Sequence, residues 1–369
     1  MSEKLTCGIC GCEIEDDNYT VFDGVILCEN CLDRQTSICS ECDARIWNDD
    51  NMGTRRMPLC RDCYNEDYTT CEDCGRVIRR DDAHYFEYDD YAYCDSCYEN
   101  RLDCSIHEYS YKPDPIFYGG GNRFFGVELE IDSAGKDEEN AEQILDEGNR
   151  KAEHIYIKSD GSLDDGMEIV THPMSLNYHK ESMSWDDITR IARSLGYRSH
   201  KTPTCGLHIH VNRTTFGETR DLQDECISRV LHFVEHHWDE LLKFSRRTES
   251  QMNRWAARYG YKNIPKEIME TAKKGYAGRY TCVNITNWNT VEFRMFRGTL
   301  KVNTIIATLE LVNRICELAT IFSDDEIASL SWSDFVSSLD QSENSELITY
   351  LKERMLYVNE PIETTENDD

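Results

Sequence analysis

The chain has 369 residues and a mass of 43.0 kDa, which is enough for two domains of ordinary size. Its 70 acidic residues outnumber its 40 basic residues and give a formal charge of −30, so nucleic acid would be repelled over most of the surface and is disfavoured as the main ligand. No apolar run reaches the roughly 18 residues of a membrane-spanning helix, and the N-terminus does not resemble a secretory signal. We therefore predict a soluble, cytoplasmic protein with no membrane partner.

Paired cysteines dominate the first third of the chain. Twelve of the 18 cysteines form six CxxC pairs, and the pairs at Cys7, Cys39 and Cys71 begin modules that follow one another every 32 residues. A fixed period of this length is the sequence signature of a tandem repeat. The paired cysteines are Cys7, Cys10, Cys28, Cys31, Cys39, Cys42, Cys60, Cys63, Cys71, Cys74, Cys94 and Cys97.

Four thiolates are a common ligand set for a structural Zn²⁺ ion. We predict that residues 1–103 form three zinc modules, similar to zinc ribbons or LIM domains, with one ion in each. Aromatic and β-branched residues beside turn formers separate the two pairs of a module, which favours a hairpin between two metal-binding knuckles. Redox activity of single CxxC pairs is the alternative. The sequence leaves open whether each ion is held within one module or between neighbouring modules.

Residues 104–120 are predicted to form a linker. Cys104 and His107 begin a fourth, truncated module that no later pair completes, and two prolines and three consecutive glycines follow. Residues 1–118 contain 27 Asp and Glu against 11 Lys and Arg. This acidity favours a basic peptide or protein over a polyanion as the partner of the modules.

Residues 121–358 are predicted to form an α+β domain in which an antiparallel sheet carries helices on one face. Strands are expected near 124–131, 155–158, 167–170, 207–211, 280–285 and 291–297, and helices near 139–151, 184–195, 221–246, 302–322 and 344–356. Residues 359–369 are expected to be a disordered acidic tail.

Three of these strands alternate apolar and polar residues, so each has one polar face. The polar positions carry Glu128 and Glu130, His208 and His210, and Glu292 and Arg294. A Glu-x-Glu pair alone is typical of a solvated strand, and a His-x-His pair alone suits a metal site as well as a surface. All three pairs together with Glu168 indicate a shared, concave binding site. Clustered carboxylates with an imidazole suit Mg²⁺ or Mn²⁺, and arginine suits phosphate, so the combination predicts phosphoryl transfer from a nucleotide.

Four segments between residues 121 and 322 resemble, in the same order, the motifs of the putative amidoligase family: FGVELEID, KSDGSLDDGMEIVTHP, CGLHIHVNR and YTCVNITNWNTVEFRMFRGTL. The resemblance implies a fold like that of glutamine synthetase and glutamate–cysteine ligase. It also implies an ATP-dependent ligase that phosphorylates a carboxylate and lets an amine displace the phosphate. The product would be an amide or isopeptide bond.

The resemblance further implies roles for individual residues. The residues that match metal ligands for Mg²⁺ or Mn²⁺, and are also catalytic, are Glu128, Glu130, Glu168, His208 and Glu292. Arg294 matches a catalytic arginine that faces the ATP phosphates. The weaker matches to ATP-binding positions are His210, Arg297, Lys158 and Asp160.

Two groups of helical residues lie outside the motifs. The arginines Arg246, Arg247, Arg254 and Arg258 form a basic cluster, which is either a solvated helix end or a site for an anionic substrate or phosphate. The histidines of the HFVEHHW segment, His232, His236 and His237, lack the HExxH pattern and are predicted to be solvated.

Two other functions stay open at the level of sequence. The chain could be a zinc-module adaptor whose C-terminal domain binds nucleotide without catalysis, although carboxylates at every matched position argue against this. It could also be a small-molecule kinase, which would form no amide bond. Neither substrate is identified, but the length and acidity of the modules suggest that one substrate is a peptide or protein.

Overall fold

The computed structural model describes residues 5–14, 18–86, 90–102, 104–275 and 278–357. These residues divide into two compact units, one that ends at Cys104 and one that begins at Ser105. The predicted acidic tail at 359–369 lies outside the described residues. Within the described residues, no helix has both the length and the apolar character needed to cross a membrane.

The first unit repeats a small motif of two strands and a helix. Its strands are β1 (Tyr19–Phe22), β2 (Val25–Cys28), β3 (Thr36–Ile38), β4 (Arg45–Trp47), β5 (Tyr68–Thr70) and β6 (Val77–Arg79). Its helices are α1 (Glu29–Gln35), α2 (Arg61–Asp67) and α3 (Asp95–Leu102). Strand β1 pairs with β2, β3 with β4 and β5 with β6, each time antiparallel.

Two of the hairpins enclose a cysteine pair instead of separating two pairs. Strand β3 ends just before Cys39, and β4 begins after Cys42. A backbone hydrogen bond from Asp43 N to Cys39 O closes the turn between them. The predicted hairpin between two knuckles is present in the first module as β1 and β2, and an antiparallel bridge between His84 and Tyr93 lies between the two pairs of the third module. In addition, a CxxC knuckle is itself tight enough to turn the chain between β3 and β4 and between β5 and β6.

The second cysteine pair of each module lies at the N-terminus of a helix. In the second module, Cys60 precedes α2 and its Sγ accepts a hydrogen bond from Cys63 N at 3.4 Å. The first helical turn thus places the two thiols of the pair side by side. The apolar cores are small, with Leu27 and Leu59 as the fully buried aliphatic residues of the first two modules. Such small cores usually depend on a metal ion for folding.

In the second unit, seven strands of the described residues form one sheet. The strands are β7 (Ile106–His107), β8 (Phe125–Ile131), β9 (Ile155–Lys158), β10 (Met167–Thr171), β11 (Gly206–Asn212), β12 (Val283–Asn284) and β13 (Thr290–Arg297). Their order across the sheet is β12-β13-β11-β8-β10-β9-β7. Neighbouring strands are antiparallel except at one edge, where β7 runs parallel to β9.

Helices surround this sheet, and the α+β fold class is as predicted. They are α4 (Glu138–Gly148), α5 (Leu176–Glu181), α6 (Trp185–Ser194), α7 (Arg220–His236), α8 (Trp238–Ser245), α9 (Glu249–Trp255), α10 (Pro265–Lys273), α11 (Val302–Ile321), α12 (Asp324–Ser329), α13 (Trp332–Ser337) and α14 (Ser345–Glu353). The single helix predicted at 221–246 is divided into α7 and α8. The helices that were not predicted have six to nine residues, which is too short for a clear helical period.

The apolar faces of the central strands form the core against the helices. In β8 the alternating residues Phe125, Val127, Leu129 and Ile131 are almost completely buried. Strands β11 and β13 bury every second residue in the same way. Because the side chains of a strand alternate between its two faces, this packing fixes which face of the sheet carries the polar residues.

The predicted exposure of the HFVEHHW histidines is wrong for two of the three. His232 is completely buried and His237 almost so, whereas His236 is exposed. Helix α7 packs against α10, α11 and α12. A helix that has neighbours on several sides buries polar as well as apolar residues. The apolar periodicity of the sequence predicts burial on one face of the helix only.

Candidate active site

The central strands bring predicted site residues onto one face of the sheet. Glu128 on β8 lies opposite His208 on β11, and Glu130 on β8 lies opposite Glu168 on β10. Residues directly opposed in antiparallel strands project to the same face. Lys158 on β9 extends this row, because it lies opposite Glu168.

Glu128 is shared by two groups of potential metal ligands. One group contains Glu128, His210 and Glu292, the other contains Glu128, Glu168 and His208, and the ligand atoms of each group lie within 4.8 Å of one another. Glu128 Oε2 is 3.2 Å from His208 Nδ1, and Glu128 Oε1 is 3.2 Å from His210 Nε2. Glu292 Oε1 is 3.8 Å from His208 Nδ1. The two imidazoles and three carboxylates therefore form one cluster.

Glu130 lies on the other side of the His208 ring. Its Oε1 is 3.8 Å from His208 Nε2, and its Oε2 accepts a hydrogen bond from Gly206 N. A Cβ atom at Gly206 would lie 2.6 Å from His208 Nε2 and 2.7 Å from Arg247 Nη2. Only glycine at this position lets the backbone lie so close to the carboxylate of Glu130 and to the side chains of His208 and Arg247.

Glu292 is held by residues of its own hairpin. Asn284 Nδ2 donates to Glu292 Oε2 at 2.8 Å, and Asn287 Nδ2 donates to the same oxygen at 3.2 Å. Arg294 donates to Glu292 Oε1. The two asparagines were not singled out in the sequence, although both lie in the VNITNWNT segment. They orient the carboxylate in the way that outer residues orient metal ligands.

The carboxylates of the cluster differ in how readily they ionise. Burial raises the pKa of Glu168 well above its ordinary value, and the charge on Glu128 raises it further. Burial also raises the pKa of Glu130. Burial acts in the same direction on Glu128, but the imidazoles of His210 and His208 outweigh it and lower the pKa of Glu128 well below its ordinary value. A bound divalent cation would favour the ionised form of each of these carboxylates.

These residues line a cleft that contains a cavity of ≈ 60 Å³. The predicted site residues in its wall are Glu128, Glu130, Lys158, Asp160, Glu168, His208 and Arg294. Six further residues line the cleft without having been predicted as site residues: Tyr109, Ser162, Thr204, Trp255, Arg279 and Tyr280. Arg247, from the basic cluster whose role was open, also lines the cleft.

Aromatic rings and cations alternate along one wall of the cleft. The Arg279 guanidinium lies 5.4 Å from the Tyr109 ring centroid and 5.0 Å from that of Tyr280. Lys158 Nζ lies 5.5 Å from the Tyr109 centroid, and the Arg294 guanidinium lies 5.9 Å from the Tyr280 centroid. Tyr109 and Arg279 are 170 residues apart in the chain, so no local spacing could have indicated this wall.

The remaining candidates lie outside the cleft wall. Arg297 donates to Arg246 O at 3.5 Å and to Thr202 O at 3.4 Å and does not line the cleft. Arg258 forms an ion pair with the buried Glu235 at 2.9 Å, which gives this arginine a structural role. The basic cluster of the sequence is thus divided among several environments.

The paired cysteines of the first unit form three groups of four. The groups are Cys7, Cys10, Cys28 and Cys31, then Cys39, Cys42, Cys60 and Cys63, then Cys71, Cys74, Cys94 and Cys97. The thiols therefore assemble within modules and not between them. Cys10 Sγ and Cys28 Sγ are 3.8 Å apart, and the corresponding distance is the same in the other two modules. Four sulfurs at about 2.3 Å from one Zn²⁺ ion would be about 3.8 Å apart, so these groups fit zinc.

The fold and the cleft together define a class of protein, an α+β protein whose sheet presents clustered carboxylates and imidazoles to a cleft lined with cations. The chain belongs to the family described as "Putative amidoligase enzyme", whose model matches residues 128–316. This match confirms the family resemblance seen in the sequence motifs. Family membership supports a ligase activity that joins a carboxylate to an amine.

The chain was also compared with curated proteins and with solved structures. A search of curated proteins gives no significant match. Among solved structures, the chain is similar to the ligase PafA, whose crystal structure is of its complex with the prokaryotic ubiquitin-like protein Pup. The identity is 8%, the TM-score is 0.27, and the similarity covers 65% of this chain. The chain spans 59% of the length of the chain it matches.

Proposed function

We propose that this protein is an ATP-dependent carboxylate–amine ligase that forms an amide or isopeptide bond. The observation that carries the proposal is the position of Glu128, which belongs to two groups of metal-ligand atoms and lines a cleft that also contains lysine and arginine side chains. In the reaction, a carboxylate oxygen attacks the γ-phosphorus of ATP and ADP leaves. The amine nitrogen then attacks the acyl carbon and loses a proton, and inorganic phosphate leaves.

The donor set fits hard divalent cations. Three carboxylates of the two groups supply oxygen ligands, which Mg²⁺ and Mn²⁺ prefer, and imidazole is also acceptable to Mn²⁺. The buried His210 Nε2 atom faces Glu128 Oε1 at 3.2 Å, so a cation bound by this carboxylate would lie within reach of the imidazole. Bound ions of this kind neutralise negative charge on a transferring phosphoryl group.

The cleft cations would hold the reacting phosphates in place. Arg294 lines the cleft and its Nε has no hydrogen-bond partner among the described residues, so this nitrogen can donate to a phosphate oxygen. Lys158 lies 3.4 Å from Glu168 Oε2, and the carboxylate keeps the ammonium directed at the cleft. Both cations would stabilise the negative charge that develops on the phosphoryl group during transfer. Charged groups that are already held in position stabilise a transition state most effectively.

The modules would bind zinc and a polypeptide substrate. Each group of four thiols has the spacing that one Zn²⁺ ion requires. The excess of acidic residues in 1–118 favours a basic polypeptide. Such a polypeptide would supply the amine through a lysine side chain, and its capture by the modules would raise its concentration at the ligase domain.

The ligase proposal is tested by incubating the purified protein with ATP, Mg²⁺ and pooled amino acids, peptides and cell extract. We expect products that are lighter by one water than the sum of two inputs, formed together with ADP and phosphate. Glu128→Gln should abolish these products, whereas Glu142→Gln, which changes an exposed glutamate of α4, should not. Products that gain a phosphoryl group would show a kinase, and an absence of ATP turnover with every input would favour the adaptor.

A further inference from the structure

A second cavity lies beside the cleft and is lined mostly by basic residues. It has a volume of ≈ 430 Å³, and its basic lining residues are His200, Lys243, Arg246, Arg247 and Arg354. We call this cavity the side pocket. Asp239 is the acidic residue that lines it. Such a concentration of positive charge stands out in a chain with a formal charge of −30.

Among the described residues, no ion pair within 4.0 Å joins a carboxylate to Lys243, Arg246, Arg247 or Arg354. The hydrogen bonds of these four side chains go to carbonyl oxygens and to an imidazole. The Nε atom of Arg246 is buried without a hydrogen-bond partner in the described part of the chain. A buried arginine N–H group without an acceptor is energetically unfavourable, because it has given up its hydrogen bonds to water. A bound anion would supply the missing acceptor.

The backbone at the end of α8 directs two adjacent arginines into the pocket. Arg246 has φ 61°, a left-handed conformation that residues other than glycine seldom adopt. The next residue, Arg247, is buried and lines both the side pocket and the cleft. Its Nη2 is close enough to Gly206 that an added Cβ would lie 2.7 Å away. A ligand in the side pocket would therefore reach Arg247 at the edge of the carboxylate cluster.

Positive charge also surrounds the one imidazole of the side pocket. Burial and the neighbouring Arg246 and Arg297 lower the pKa of His200. A bound anion would offset the positive charge of these arginines.

We infer that the side pocket binds an anionic group of the carboxylate substrate other than the group that reacts. The acyl substrate is then an acidic molecule with several carboxylates, such as a glutamate-rich peptide. The inference rests on the proposed ligase function, which supplies three reactants. Arg294 and the metal ligands of the cleft are already assigned to the ATP phosphates. A protonated amine would be repelled by the positive charge of the side pocket. The carboxylate substrate is therefore the reactant that the side pocket suits.

An alternative reading gives these cations a purely structural role. Lys243 lies in the last turn of α8, and Arg354 donates to Lys243 O at 3.0 Å. Cations at a helix C-terminus are stabilising without any ligand. The two roles differ in their consequences, because a structural role predicts lower stability on substitution and an unchanged affinity for acidic peptides.

The test measures binding to the full chain without turnover. Hexaglutamate and hexaglutamine are titrated into the protein by calorimetry, and ATP is titrated separately. We expect hexaglutamate to bind more tightly than hexaglutamine, and Lys243→Gln/Arg246→Gln to weaken hexaglutamate binding by roughly tenfold or more while ATP affinity is unchanged. The matched control is Lys262→Gln/Lys266→Gln, which removes two exposed lysines elsewhere and should leave both affinities as they are.

Each other result contradicts the inference. Equal affinities of the unmodified protein for hexaglutamate and hexaglutamine would overturn it, whatever the variants do. Weaker ATP binding in Lys243→Gln/Arg246→Gln with unchanged peptide binding would assign the pocket to the nucleotide. Loss of thermal stability with no change in peptide affinity would assign it to the helix end. Because binding is measured without turnover, failure of the ligase assay alone would leave the peptide result intact and would refute only the proposed function.

Discussion

At the scale of single residues, the cleft depends on positions that do not belong to its cluster of carboxylates and imidazoles. Gly206 is such a position, because His208 and Arg247 both approach its Cα closely. Asp132 is another, since its carboxylate accepts hydrogen bonds from Ser133 N at 2.7 Å and Asp165 N at 2.8 Å. These contacts attach the loop that carries Asp160 and Ser162 to the end of β8. The sequence motifs mark the reactive residues, while these supporting contacts appear only in three dimensions.

Gly206→Ala should impair the cleft without unfolding the protein. The added Cβ would lie 2.6 Å from His208 Nε2 and 2.7 Å from Arg247 Nη2, so both side chains must move. A displacement of this size in an active site can reduce activity by about 100-fold. Gly161→Ala is the matched control in the loop that lines the cleft, because no atom lies within 4 Å of its added Cβ. Equal turnover of ATP by the two variants would refute the assigned geometry.

At the scale of elements, register determines what each strand contributes. In the β11–β13 pair the register shifts between Leu207 and Ile209, so two residues of β13 face one residue of β11. This bulge places Arg297 opposite Gly206, on the face that Glu292 occupies. A strict period of two would have placed Arg297 and Glu292 on opposite faces. Alternation in the sequence therefore predicts the polar face of β13 only as far as the bulge.

Helix α5 contains a histidine that should make stability depend on pH. His179 is buried, its Nε2 donates to Phe125 O at 3.0 Å, and burial lowers its pKa to about 4. The unfolded chain binds a proton below about pH 6.5, whereas the folded chain does so only near pH 4. The contribution of neutral His179 to the free energy of unfolding is therefore fully present above about pH 6.5 and is lost as the pH falls towards 4.

The measurement is the free energy of unfolding of the second unit at pH 7.5 and pH 5, from urea titrations. The free energy of unfolding should decrease from pH 7.5 to pH 5. In His179→Gln this decrease should be smaller by about 2 kcal/mol than in the unmodified protein. His236→Gln, which changes an exposed histidine of α7, serves as the control and should retain the full decrease. An unaltered pH dependence in His179→Gln would show that this imidazole is not the group responsible.

At the scale of the whole molecule, the two units have different sources of stability. The second unit has one large core, to which both its sheet and its helices contribute buried residues. The modules of the first unit have cores of only a few buried residues each. A unit of that kind depends on its metal, whereas the sheet does not.

We predict three Zn²⁺ ions per chain in protein purified under reducing conditions. Cys10→Ser should reduce the number to two, because Cys10 belongs to the first group of thiols. Cys12→Ser, which removes a neighbouring cysteine outside that group, should leave three. Elemental analysis gives the counts, and chelation should unfold the first unit without unfolding the second. The same zinc content in both variants would exclude this assignment of ligands.

Removal of residues 1–104 should affect the polypeptide substrate and not ATP. The truncation must end there, because β7 pairs with β9 and Tyr109 lines the cleft, so a deletion to residue 118 would damage the ligase domain itself. We expect the KM for a polypeptide substrate to rise while the affinity for ATP stays the same, since the modules act by local concentration. Unaltered kinetics of the truncated enzyme would assign the modules to assembly or regulation.

Several features of this protein follow from the sequence by itself. Strand alternation puts Glu128 and Glu130 on one face of β8, and His208 and His210 on one face of β11, because apolar side chains must be buried and successive side chains alternate. The repeat of paired cysteines predicts three groups of four thiols, because tetrahedral zinc needs that number. The four ligase motifs placed the chain in its family, which the match over residues 128–316 confirms.

Only the tertiary structure decided the rest, because these features depend on contacts between distant parts of the chain. It grouped the thiols within modules, where the sequence allowed pairing between modules as well. It brought Tyr109 and Arg279 together across 170 residues, and it placed Arg247 between the cleft and the side pocket. It also buried His232 and His237 against neighbouring helices. Spacing along a chain reports local periodicity, whereas strand order and helix packing determine which side chains converge on one site.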